Sequence, residues 1–270
     1  MLLGHTARLG VVVASAVLVL AACGNGDGDG NVDAEQVDAV EAPAVGACRN
    51  LTPQDVELPS NATKVVDCTR KHTAETYAAG ELPAELKDVD YDAPELGTYA
   101  YETCSASLQE FLQADESTVM RSIVSWAWFR PSQAAWDKGA RWYRCDVVGG
   151  GEGSQSFVTL PKSAAGLLAP GPVNDDWMVC VNGPSVQAAP KIACSKKHNW
   201  RAVTTIKVAG PDAPYPGDEA VEKTTRDYCS ESVGAWLGYP PDYDFGYTWF
   251  HEGEWKAGNR RSVCWAATTA

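Results

Sequence analysis

Eight cysteines stand in two matching sets of four: Cys48, Cys68, Cys104 and Cys145, then Cys180, Cys194, Cys229 and Cys264. Each set sits in the same ordered surroundings, so the chain is a duplication. Cys68-Thr69-Arg70-Lys71-His72 returns as Cys194-Ser195-Lys196-Lys197-His198. A β-prone run follows each, from Thr73 to Ala78 and from Trp200 to Val208. A helical stretch comes next, with a cysteine on its apolar face. Leu96, Ala100, Cys104, Leu108 and Leu112 lie at i+4 spacing, as do Val221, Thr225, Cys229, Val233 and Leu237. Trp128-Phe129 is matched by Trp249-Phe250, and Trp136-x-x-Gly139-x-Arg141-x-x-x-Cys145 by Trp255-x-x-Gly258-x-Arg260-x-x-x-Cys264.

An even number of cysteines without a CxxC pair reads as a disulfide framework in an oxidising compartment, not as a zinc ribbon or free catalytic thiols. Four cysteines per repeat leave three pairings each. The choice made here is first with second and third with fourth: Cys48–Cys68, Cys104–Cys145, Cys180–Cys194 and Cys229–Cys264. It staples each helix to a terminal strand, and each bond is worth roughly 3–4 kcal/mol in the chain-entropy model.

The expected fold class is α+β, in two tandem repeats, each one helix packed on a small antiparallel sheet. Each repeat reads as strand, strand, helix, strand, short turn, strand. In the first, Val119 to Phe129 is a strand, and Arg141 to Val148 pairs with Gln155 to Leu160 around the glycines of 149–153. Pro161 to Asp175, with Pro161, Gly166, Pro170, Gly171 and Pro172, reads as a linker. The repeats then span 45–160 and 176–270, and the short linker makes them neighbours. The ten tryptophans, most of them near repeat motifs, are expected in the core and not as ligand platforms.

The N-terminus has a different character. His5 and Arg8 precede an apolar run from Leu9 to Leu20, the length of a signal-peptide core and too short to span a bilayer. Leu20-Ala21-Ala22-Cys23 has the form of a lipobox, so 1–22 is read as a lipoprotein signal peptide and Cys23 as the lipidated first residue of the mature chain. An ordinary signal peptide with an incidental cysteine is the alternative. The stretch 23–44 is rich in Gly and acid and holds no Lys or Arg, which makes it a flexible tether. Two or three acyl chains, such as palmitate, hold a protein on a membrane where one is marginal. The expected location is therefore the outer face of the cytoplasmic membrane, with lipid as the only attachment. The net charge of -13 argues against nucleic acid, because phosphate contacts need Lys and Arg.

The ordered motifs resemble the septum-formation domain family of actinobacterial membrane proteins and lipoproteins, here in two tandem copies. The matching pieces are Val45-Gly46-Ala47-Cys48, Cys68-x-x-x-His72-x-x-Glu75, the helix cysteine, Trp128-Phe129-x-Pro131-Ser132 and Trp136-x-x-Gly139-x-Arg141. The second repeat keeps the cysteines, His198, Tyr215-Pro216-Gly217 and the closing motif. It departs at Arg201, where the first has Glu75, and at His251-Glu252, where the first has Arg130-Pro131. The resemblance implies a link to septum formation in cell division and carries no established chemistry.

Candidate binding residues are His72, Glu75, His198, Trp136, Arg141, Trp255, Arg260 and His251. His72 with Glu75 has the makings of a metal or acid–base site. A disulfide at Cys68 removes one ligand, however, and Arg201 removes the carboxylate in the second repeat. The expectation is a histidine beside the disulfide that bonds a backbone carbonyl. Arg141 and Arg260 are expected on turn carbonyls or a carboxylate, and Trp136 and Trp255 as core plugs. His251, Glu252 and Glu254 cluster in the second repeat only. No Gly-x-Ser-x-Gly, Ser-x-x-Lys, His-Glu-x-x-His or phosphate loop occurs, so neither catalysis nor a cofactor or metal is expected.

The expectation is a non-catalytic, lipid-anchored interaction module with an envelope or divisome protein as partner. The alternative is a binder of peptidoglycan, glycan or metal in a cleft between the repeats. Replacing Cys23 with Ser is expected to move the protein from the membrane to the soluble extracellular fraction with its disulfides intact. Retention of the variant on membranes overturns the anchor.

Overall fold

In a computed structural model, residues 39–268 are described, apart from 152, 173, 188 and 211. The stretches expected to be leader and tether, with Cys23, lie outside the described residues up to residue 38, as does Glu152 of the glycine run.

The first repeat contains β1 (Cys48–Arg49), β2 (Val65–Val66), β3 (Ala74–Glu81), α1 (Pro94–Leu112), α2 (Glu116–Met120), β4 (Ser125–Phe129), α3 (Gln133–Asp137) and β5 (Trp142–Val148). The second contains β6 (Val179–Val181), β7 (Lys191–Ala193), β8 (Trp200–Lys207), α4 (Asp218–Leu237), β9 (Phe245–Thr248), α5 (Glu252–Ala257) and β10 (Arg261–Ala267). Two antiparallel five-stranded sheets result, in the orders β2-β1-β3-β5-β4 and β7-β6-β8-β10-β9. The orders are the same once the strands are matched by their cysteines. The fold is α+β, and the disulfides join Cys48 to Cys68, Cys104 to Cys145, Cys180 to Cys194 and Cys229 to Cys264.

Each long helix lies on its sheet by the apolar face seen in its spacing. Leu96, Ala100, Cys104, Leu108 and Leu112 are all buried on α1, and Val221, Thr225, Cys229 and Val233 on α4. Pro94 opens α1 at a position where its missing N–H costs nothing. Asp218 and Glu219 sit in the first turn of α4, where carboxylates favour the helix dipole, and Gly238 ends it in the left-handed region.

Four local expectations are corrected. Val119 to Phe129 is not one strand: Asp115 accepts from Thr118 N–H at 2.7 Å and caps α2, so extended chain begins only at Ser125. Gln155 to Leu160 forms no strand, because β5 already has β3 on one edge and β4 on the other. Instead Val158 N–H donates to Gly149 O at 2.7 Å, and the approach is so close that a Cβ on Gly149 would lie 2.0 Å from that residue's carbonyl oxygen. The short turn of each repeat is a helical turn, α3 or α5, ended by Gly139 at φ +99° or Gly258 at φ +115°. Those two positive angles account for the glycine in the Trp-x-x-Gly-x-Arg motif. Each repeat also has one more strand than expected ahead of its helix, since β1 and β2, like β6 and β7, form a small hairpin.

The stretch 161–175 is no free linker. Leu160 and Ala164 are buried in the first core, and Leu168 N–H donates to Leu112 O at 3.1 Å. The repeats are in direct contact. Ile123 N–H donates to Trp177 O at 2.8 Å, Val179 N–H donates to Arg121 O at 2.9 Å, and Arg261 is paired with Glu116.

The face of the first sheet turned away from α1 holds a buried polar network. Arg49, Thr76, Arg144 and Asp146 are all at or near zero exposure. Arg49 Nη1 donates to Thr76 Oγ1 at 2.7 Å, and Thr76 Oγ1 donates to Asp146 Oδ1 at 2.6 Å. Arg144 Nε lies 3.0 Å from Asp146 Oδ2, off the hydrogen-bonding line, and its Nη2 donates to Asn61 Oδ1 at 3.2 Å. Burial, with Arg144 alongside and Asp146 opposing, pushes the Arg49 guanidinium down to about 10. The long connection 50–64 covers this network with Leu51, Val56 and Asn61. At the matched positions the second sheet has Val181, Ala202, Val263 and Trp265, which form an apolar cluster. The chain thus fills one face in two chemically opposite ways.

Removing Asp146 as Ala leaves two arginines buried against no carboxylate, and urea unfolding is expected to show a loss of about 3–5 kcal/mol. Replacing Arg49, Arg144 and Asp146 together by Met, Met and Leu is expected to cost far less, as the apolar second sheet indicates. An equal loss in both variants contradicts this account.

Candidate functional site

The two matched histidines are held alike. His72 Nδ1 donates to Arg70 O at 2.8 Å, and His198 Nδ1 donates to Lys196 O at 2.8 Å. A carbonyl can only accept, so each ring carries its proton on Nδ1. Both rings are buried and close the turn between the second disulfide cysteine and the long strand. Their local neighbours offer no shared metal set. Cys68 and Cys194 are in disulfides, and Glu75 accepts from Ser163 Oγ at 3.0 Å and from Ala164 N–H at 2.7 Å. Arg201, at the position of Glu75, donates to Asp175 Oδ1 at 2.6 Å. Among the described residues, no group of three or more His, Cys, Asp or Glu side chains could hold a metal ion.

The arginines of the closing motif serve the turn that precedes them. Arg141 donates to Trp136 O at 2.7 Å, Ala140 O at 2.8 Å and Lys87 O at 2.6 Å, with its guanidinium 4.0 Å from the Trp136 ring centre. Arg260 repeats this: it donates to Trp255 O and to Asn259 O, and lies 3.9 Å over the Trp255 ring. Burial lowers the pKa of Arg260 from the ordinary arginine value, with Tyr101 opposing. Trp136 and Trp255 are buried, against Leu82 and Leu96 in one repeat and against Val221 and Phe250 in the other. One motif therefore has one use in both repeats: an arginine stacks on a core tryptophan and ties down the carbonyls of a short helix.

The second-repeat cluster is different in kind. His251 is largely exposed, its Nδ1 lies 3.2 Å from Asp218 Oδ2, and its ring centre is 4.3 Å from that of Trp249. Glu254 accepts from His251 N–H at 2.9 Å, while Glu252 pairs with Lys256 at 2.9 Å. Trp249, His251 and Glu254 line an open cleft of about 490 Å³ together with Lys191 and Arg261, and Met120 joins them from the first repeat. The cleft lies on the face that 50–64 covers in the other sheet.

Two groups carry no mark in the sequence. The Arg49–Asp146 network was unmarked because charged residues alternating along a strand ordinarily face water. Trp236 was placed with the core tryptophans and is corrected here, being 51% exposed at the end of α4. It belongs to a second open pocket with Arg121 and Arg201. Asn61, in a glycosylation-like triplet, is buried on Arg144. Among the described residues no helix is long and apolar enough to cross a membrane.

Comparison with curated proteins and with solved structures finds no match. The family model described as septum formation matches residues 45–264, one span that runs across both sheets and all four disulfides. With the match covering most of its length, the chain belongs to the septum-formation family.

Proposed function

We propose that the protein is a non-catalytic interaction module for septum formation, held by lipid on Cys23 at the outer face of the cytoplasmic membrane. Its partner in this reading is an envelope or divisome protein. The observation that carries the proposal is the use made of the repeated polar side chains. His72, His198, Arg141 and Arg260, the residues that recur and could do chemistry, are bonded to backbone carbonyls of their own repeat. The repeats also differ at their surfaces, in the cleft at Trp249 and the pocket at Trp236, and surface is where partners are chosen. Four disulfides support an oxidising location, and a septum-formation family supports the site of action. Two repeats in contact also allow two contacts with one partner, which raises avidity.

A second reading is binding of an envelope glycan. It is favoured by the cleft that joins Trp249, His251, Glu254 and Lys191, an aromatic wall beside polar groups.

A functional fluorescent fusion is expected to gather at the division septum, and crosslinking there to recover an envelope or division protein. Even distribution around the cell envelope, with no such protein recovered, overturns the leading reading. Saturable binding of soluble glycan fragments that is lost in Trp249→Ala supports the second.

A further inference from the structure

The two repeats also differ at one corner. In the first, the chain leaving β5 turns back over the end of α1. Leu160 N–H donates to His72 O at 2.9 Å, Ala164 N–H to the Glu75 carboxylate at 2.7 Å, and Gly166 N–H to Phe111 O at 2.7 Å. Leu160, Ala164, Leu167 and Leu168 pack with Tyr77 and Phe111. A run of extended and turning peptide therefore fills a corner floored by His72, Glu75, Tyr77 and Phe111.

Matching the repeats by their cysteines places His198, Arg201, Val203 and Trp236 at those four positions. All four line an open pocket of about 430 Å³, and among the described residues no segment crosses it. Trp236, the counterpart of the covered Phe111, is accordingly exposed. The charge is reversed as well, since Arg201 replaces Glu75. A second guanidinium enters from the first repeat. Arg121 donates only to neutral oxygens, Ser117 O at 3.2 Å, Val203 O at 3.3 Å and Thr118 Oγ1 at 3.4 Å. Among the described residues no carboxylate lies within ion-pair distance of it. Burial, together with the like charge of Arg201, lowers the Arg121 pKa from its usual value, with Asp115 opposing. The Thr268 hydroxyl in the same pocket is buried without a hydrogen-bond partner among the described residues. Asp175 offsets one of the two arginines. The pocket is left locally cationic in a chain of net charge -13.

We propose that this corner binds a carboxylate-bearing peptide of a partner, lying where residues 160–168 lie in the first repeat. The proposal rests on the interaction-module reading and supplies the chemistry of its partner. The complementarity is direct. Where Glu75 receives the donors of a peptide, Arg201 and Arg121 offer donors to a peptide's acceptors, and a guanidinium fork suits a carboxylate. Trp236 would cover the flanking residue as Leu160 and Leu168 are covered on Phe111. A single carboxylate fits better than a polyanion, which the overall charge repels.

The test uses the full-length chain in detergent, titrated with acetyl-Ala-Ala, its C-terminal amide, acetyl-Ala-Asp-Ala-amide and inorganic phosphate. Tryptophan emission is the readout, with Trp236→Phe to identify the reporter. Saturable binding is expected of a free-acid peptide, and the pair shows whether a chain terminus or a side chain supplies the carboxylate. The amide of the dipeptide is expected to bind about tenfold more weakly or worse, as is the acid to Arg201→Gln, a loss typical of a charge-assisted hydrogen bond. Trp236→Ala, at an exposed position that folding does not need, is expected to weaken binding as well. Binding of the dipeptide amide as tight as that of the better-bound acid peptide, no binding of either acid peptide, or phosphate binding as tight as the peptides' overturns the proposal. If the titrations fail while the fusion still gathers at the septum, this inference falls and the module reading stands.

Discussion

In each repeat a cysteine on the buried face of the long helix is bonded to a cysteine in an inner strand of the sheet beneath it, Cys104 to Cys145 and Cys229 to Cys264. That bond sets which face of the sheet the helix covers, and everything else is arranged around it. With Cys145 and Cys264 turned to the helix, strand alternation turns Arg144 and Asp146, or Val263 and Trp265, to the opposite face. The closing motif places the strand that carries the bond: a glycine with positive φ ends the short helix, and an arginine holds the turn's carbonyls. The units are small and rich in loop, so a covalent tie between helix and sheet compensates for a limited core.

A duplicated scaffold of this kind leaves each copy free to differ where the scaffold does not depend on it. The far face of the first sheet is charged and sealed by 50–64, while that of the second is apolar and opens partly to the cleft at Trp249. Around the helix end the first copy is closed by its own chain, and the second is open beside Arg201 and Trp236. Ion networks of the buried kind seldom add stability over a well-packed apolar cluster, and the second sheet shows that the fold has no need of one.

The legible parts of the fold are those with a strong period or a strict spacing. Helical repeats of four around Cys104 and Cys229 were readable because each buries one face along many residues, and the runs that became β3 and β8 by their β-prone residue types. Strands of two or three residues, such as β1, β2, β6 and β7, carry no period to read. The segment 155–160 has strand-like composition but found both edges of β5 occupied, a fact of sheet order that no local window contains. Residue types at His72, His198, Arg141 and Arg260 pointed to carbonyl-bonding roles, and the geometry is of that kind. Trp236 and Arg121 were not legible, because their exposure depends on whether a distant segment comes back to cover them. Only the comparison of one repeat with the other makes that difference visible.

The central claim is that the first corner is closed by its own chain and the matching second corner is open. Hydroxyl-radical footprinting of the native protein tests it most directly, with each residue's rate normalised to the reduced, unfolded chain. Trp236 is predicted to react near its unfolded rate, while Leu160 and Phe111 are protected. Protection of Trp236 to the level of Phe111, or reaction of Leu160 as fast as Trp236, would contradict the account.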